Sequence, residues 1–185
     1  MKKLLIVTSV FAVILVGLLW LTSIALTPTP LGPAKAPIPH LHKDAVIQVY
    51  GADVWGFRGN FAIHTWVATK ARDAEMYQIY QVIGWRLRRR GSAVSIETGM
   101  PDRPWFRSPP ILLYELRGEP AQRLIPRVHQ AVIDYPYAQT YTMWPGPNSN
   151  SFTQWIAEEV PELELELPTK AIGKSWMTEN YPATR

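Results

Sequence analysis

Cysteine is absent from the 185 residues. That excludes a disulfide framework, a thiolate nucleophile and any cysteine-ligated metal site. A strong charge of either sign is also missing. Lys+Arg 19 against Asp+Glu 15 leaves +4, too little to argue for a nucleic-acid partner, and none is expected. No phosphate-binding, dinucleotide or zinc motif occurs, and no internal repeat. His40 and His42 stand two apart, but no third ligand accompanies them, so neither a metal nor another cofactor is expected. Charged residues make up only 18% against 47% hydrophobic, so the chain as a whole is not of disordered composition.

Much of that apolar share lies at the start. After Met1-Lys2-Lys3 comes an uncharged run of 23 residues, Leu4 to Leu26. As a helix it would span roughly 34 Å, enough to cross a bilayer core. The alternative is a cleaved signal peptide, with Ser23-Ile24-Ala25 as small residues at a cleavage point, although such apolar cores are usually shorter. The length favours an uncleaved anchor in residues 1–26, and Lys2 and Lys3 place its N-terminus in the cytoplasm. Residues 27–43 then carry five prolines, which predict an extended spacer. Residues 44–185 are long enough for one core of their own.

Within that domain, Val46–Tyr50 reads as a short strand. Phe61–Thr69 alternates, with Ile63, Thr65 and Val67 on one face and His64, Trp66 and Ala68 on the other. A turn at Ala71–Ala74 leads to a strand over Glu75–Ile83, in a hairpin register that sets Lys70 opposite Glu75 and His64 opposite Gln81. Val94–Glu97 and Ile111–Leu116 are further strands. Gly118-Glu119-Pro120 opens a helix with Ala121, Leu124, Ile125, Val128 and Val132 on one face, which Pro126 should kink or split. Gln139–Trp144 and Glu162–Leu167 are expected to be strands. Asn148-Ser149 starts a helix with a Phe152, Trp155, Ile156, Val160 stripe. The expectation is an α+β domain, an antiparallel sheet with packed helices, behind one N-terminal transmembrane helix.

The segment Trp144 to Phe152, WPGPNSNSF, admits two readings. In one it is a Pro-Gly turn followed by Asn148 capping a helix. In the other, a side chain at that helix start is a nucleophile among unpaired N–H groups that can hold an oxyanion. His64, with Gln81 across the hairpin, is either a general base with its orienting partner or a satisfied core histidine. His129 reads as a boundary residue of its helix. The run Arg86, Arg88, Arg89, Arg90 reads as a solvated turn, or as a contact to lipid phosphate or an anionic wall polymer. Seven tryptophans follow Trp20. Most must build core, while a few, Trp105 and Trp144 among them, could line a groove.

FAIHTWVATK, PDRPWF, RGEPAQRLIP, YPYAQTYTMWPGPNSNSF and PELELELPTKAIGKSW together resemble the bacterial family catalogued as domain of unknown function 3750. The likeness runs over about Phe61 to Trp176. It implies a bacterial source and no activity. With the anchor, it places the chain in the inner membrane, single-pass, with its domain in the periplasm or outside the cell. A second resemblance is to circularly permuted papain-like proteins, such as the NlpC-type group. Those set histidine on an early strand and a nucleophilic cysteine later, at a helix start, in an Asn-Cys-x-x-Phe setting. Here the order implies His64 as base, Gln81 as orienting group and Ser149 in the cysteine position, framed by Asn148 and Phe152. Asn148, Asn150, Trp144 and Trp105 would then bind the ligand. Serine departs from the pattern, because a hydroxyl stays protonated where a thiol ionises. Amide or ester hydrolysis or acyl transfer is therefore one expectation. Its rival is a pseudo-enzyme or scaffold module that binds peptidoglycan, lipid or a protein. A purely structural domain with no ligand cleft is the third.

Overall fold

A computed structural model describes residues 35–181. The expected anchor, residues 4–26, and residues 27–34 of the spacer lie outside the described residues. Among the described residues no helix is long and apolar enough to cross a membrane.

Five strands form one antiparallel sheet: β1 (Val46–Asp53), β2 (Ile63–Lys70), β3 (Tyr77–Val82), β4 (Val94–Gly99) and β5 (Ile111–Arg117). Their order is β4-β3-β2-β1-β5. Four helices accompany them: α1 (Gly84–Arg90), α2 (Gly118–Ile133), α3 (Ser149–Glu159) and α4 (Trp176–Asn180). The alternation in β2 sorts its residues as the sequence implies. Ile63 and Val67 join Ile47, Val49, Tyr80 and Val82 under α2 and α3. Trp66 and Ala68 face the other way, joining Tyr50, Tyr77 and Ile79.

This second face has no helix on it. It is covered by the Pro-rich loop between β4 and β5, through Trp105, and by Ala36. The backbone N–H of Ala36 donates to Asp102 at 2.9 Å, and the Tyr77 hydroxyl donates to the Pro37 carbonyl at 3.0 Å. Residues 36–43, read as the end of a free spacer, therefore pack on the domain, with a turn at Ile38–Leu41.

Other departures have local causes. The β2–β3 register is shifted by two residues, so Val67 faces Tyr80. The expected Lys70–Glu75 pair does not form, and Lys70 donates instead to the carbonyls of Lys43 and Ala71. A two-residue shift preserves both faces, whereas a shift of one would have exchanged them. Helix α2 runs through Pro126 without splitting, because Ala121, Val128 and Val132 hold both of its halves on the sheet. Arg86–Arg90, read as a turn, is the body of α1, which ends at Gly91 in the left-handed conformation.

Neither Gln139–Trp144 nor Glu162–Leu167 is a strand. In the first, backbone groups are spent on turns, Thr140 to Tyr137 and Thr142 to Pro147. In the second, Glu164 has φ 49°, which breaks the extended run. The alternation in burial survives, with Leu163, Leu165 and Leu167 inside and the glutamates outside.

Candidate functional site

Asn148 caps α3. Its side-chain oxygen accepts from the backbone N–H groups of Asn150 and Ser151 at 2.9 and 3.2 Å. The Ser151 hydroxyl accepts in return from the Asn148 backbone N–H at 3.2 Å, completing a reciprocal cap. The Asn148 amide nitrogen donates to the carbonyls of Met143 and Ile172. Gly173, at φ +90°, brings its chain so close that a Cβ there would lie 2.7 Å from the Pro145 carbonyl.

Asn150 is equally committed. Its amide nitrogen donates to the Ile63 carbonyl at 3.0 Å and the Ile172 carbonyl at 2.9 Å. Its oxygen accepts from the Thr65 hydroxyl at 2.9 Å. The two asparagines expected as ligand contacts thus join the start of α3 to β2 and to the 172–173 segment. Two of the helix-start amides that an oxyanion would need are already taken by the Asn148 cap.

Thr65 points towards α3, so its neighbour His64 points to the opposite face. There the His64 ring stacks on Trp105, with centroids 3.9 Å apart and an interplanar angle of 6°. His64 Nε2 lies 3.0 Å from Gln81 Oε1. The amide oxygen only accepts, so Nε2 carries the proton and Nδ1 the lone pair. The expected partnership of His64 and Gln81 is therefore formed, on a diagonal of the hairpin rather than straight across it. Burial lowers the His64 pKa from 6.5 to about 4, the Gln81 bond opposing it, so the ring is neutral at neutral pH.

No hydrogen bond joins His64 to Ser149. Both nevertheless line one cleft of about 470 Å³, at the end of the sheet where the β2–β3 ladder has stopped. The Ser149 backbone carbonyl accepts from Thr153 at 3.2 Å, while its hydroxyl has no hydrogen-bond partner among the described residues. Asn148, Asn150, Trp105 and Trp144 also line the cleft. Trp144 is 74% exposed. Trp155 instead belongs to the core, donating to the Ala131 carbonyl at 2.7 Å.

The rest of the cleft is mostly aromatic and aliphatic, with Arg58 as its one charged residue, and was not singled out by sequence reasoning. Phe57 and Phe61 come from the loop between β1 and β2, Phe106 from the Pro-rich loop, and Tyr141 and Met143 from the approach to α3. The one signal for it was the excess of tryptophan. His129 lies 3.4 Å from the Tyr80 hydroxyl, away from the cleft. Among the described residues no group of three or more acidic or histidine side chains could hold a metal.

No curated protein and no solved structure matches this chain. One family model does, over residues 44–176. That span is most of the folded part and includes β1 to β5, the Asn148 cap and His64. The chain belongs to the family described as "Protein of unknown function (DUF3750)".

Proposed function

We propose that this domain binds a lipid-like ligand, one bearing an acyl chain, in the cleft beside Ser149 and His64. It does so as a membrane-held module of the bacterial envelope, anchored through residues 4–26 with the domain on the periplasmic side. The aromatic lining of the 470 Å³ cleft carries this reading. Its volume is in the range of small-molecule sites. Each methylene removed from water there contributes about 0.8 kcal/mol. Ser149, His64 Nδ1 and the Arg58 guanidinium supply the few polar groups that would orient a head group.

The test is a titration with a fluorescent fatty acid, read by energy transfer from tryptophan. Trp144→Ala is expected to weaken binding roughly tenfold, the loss of part of one exposed ring's contact. Ser149→Ala should leave the affinity within about twofold, because a single neutral hydroxyl contributes little net. No saturable binding by wild type would remove the lipid reading.

A second reading, hydrolysis or acyl transfer on a papain-like arrangement, takes support from the unpartnered Ser149 hydroxyl on the cleft wall. In that reaction the Ser149 oxygen adds to an ester or amide carbonyl carbon, and its proton passes to His64 Nδ1. The alcohol or amine then leaves with that proton, and water releases the acyl group from serine. Two features weigh against it: the low basicity of His64 and the capped amides. A serine-directed phosphonate distinguishes the readings. Labelling that disappears in Ser149→Ala establishes the nucleophile, and wild type that never labels leaves binding alone.

A further inference from the structure

Six aromatic side chains on the cleft's rim face solvent: Trp55, Phe57, Phe61, Trp85, Phe106 and Trp144, each at least 47% exposed. They arise from separate segments: the β1–β2 loop, the start of α1, the β4–β5 loop and the approach to α3. Nothing local requires four segments to present large rings to water at one end of the domain. Scattered exposed hydrophobes are ordinary on a protein surface, but a contiguous rim of them marks an interaction surface.

The exposed charges around it that lack an ion partner among the described residues are basic. Arg58 lies between Phe57 and Phe61, Arg107 follows Phe106, and Arg88, Arg89 and Arg90 lie within two turns of Trp85. All five are exposed, and none forms an ion pair among the described residues. The nearby acids are engaged: Asp53 pairs with Lys170, and Glu97 pairs with Arg103. Tryptophan and phenylalanine interleaved with unpaired arginine suit the head-group region of an anionic bilayer.

The chain enters the domain across the sheet face that the Pro-rich loop covers, with Pro37 accepting from Tyr77 at the end of β3 away from His64. Ala36 is bonded to Asp102 of the loop that carries Trp105 and Phe106. With residues 4–26 in the bilayer, as proposed above, the eight residues 27–34 reach at most roughly 28 Å. The rim is therefore tethered within reach of the surface.

We propose that the aromatic rim docks into the anionic head-group layer of the membrane that anchors the chain, turning the mouth of the cleft towards the lipid. The proposal shares the anchor with the reading above but does not depend on what the cleft holds.

The chain has no cysteine, so single labels are clean. Full-length Phe57→Cys and Glu75→Cys would each carry an environment-sensitive dye, in vesicles with and without phosphatidylglycerol. Glu75 lies on the turn beyond the far end of β2 and is exposed, which makes it the control. The dye at 57 is expected to brighten at least threefold over that at 75, to be quenched by spin-labelled lipid, and to lose most of the gain when phosphatidylglycerol is omitted. Arg58→Gln with Arg107→Gln should reduce the gain at least twofold. Vesicle flotation with a water-exposed dye at 57 would overturn the docking while leaving the anchor and the ligand reading in place. Absence of flotation would overturn anchor and docking together. A bright dye at 57 that spin-labelled lipid does not quench would mean that protein, the chain's own N-terminus or a second copy, covers the rim, and would also overturn it.

Discussion

Replacing Asn150 with alanine is expected to lower the unfolding free energy by about 3 kcal/mol. The side chain is 3% exposed and makes three hydrogen bonds, to Thr65, Ile63 and Ile172. Truncation would strip the Ile63 carbonyl of the Asn150 donor, leave the Ile172 carbonyl with Asn148 alone, and turn the Thr65 hydroxyl to Thr153, all in a dry site. Each orphaned group costs about 1–3 kcal/mol where water cannot enter. The expected readout is a urea midpoint moved down with an unchanged slope, since the folded state should stay compact. Asn150→Asp is a sharper variant, because the carboxylate loses the amide donor and faces both carbonyls. It should be at least as damaging as alanine at neutral pH. A loss below about 1 kcal/mol in Asn150→Ala would mean that water repairs the site, and the clamp between α3 and β2 would then be a minor contributor.

Acidification from pH 6.5 to pH 4 is expected to remove about 3 kcal/mol of stability through His64 alone. Burial holds its folded pKa at about 4 against 6.5 for the free side chain. Above pH 6.5 the ring is neutral in both states and contributes no pH dependence. As pH falls through 6.5 the unfolded chain takes up the proton and the folded one does not, so unfolding is favoured progressively until about pH 4. Glu97 and Glu162, held below the usual carboxylate range by hydrogen bonds, lose their contribution only lower still, as pH falls from about 4.5. The two windows are thus separable. In His64→Gln the slope between pH 6.5 and 4.5 should flatten, although the variant is weaker at pH 7. Equal slopes in variant and wild type would show that another group governs acid stability.

The elements legible in the chain were those with a local signal. Strand β2 announced itself by alternation, and the faces it assigned to His64 and Thr65 are the ones found. The hairpin register was off by two because no charge pair pinned it. Lys70 is buried under backbone carbonyls instead of meeting Glu75. The helix cap at Asn148 was readable from residue type and position, and so was the stripe Phe152, Trp155, Ile156, Val160. The alternating glutamate and leucine of residues 162–167 encoded burial correctly and pairing not at all, since period two describes an extended chain whether or not a neighbour bonds to it. The clamp of Thr65, Asn150 and Thr153 was not legible. It exists because α3 crosses β2, and nothing within either segment says so. Apart from Trp144, the aromatic rim was hidden for the same reason, each ring being unremarkable in its own loop.

The cover on the helix-free face of the sheet bears on how this domain is cut from its chain. The family model begins at Asp44, but Ala36 and Pro37 already lie over Tyr77 and against Asp102. A fragment begun at the family boundary would keep every strand and helix and still be stripped of a lid. The Tyr77 hydroxyl would lose its acceptor, and apolar surface around Tyr50, Trp66 and Tyr77 would meet water. Likeness among sequences marks where residues are shared, whereas the folded unit ends where burial ends. Here the second boundary lies further towards the N-terminus.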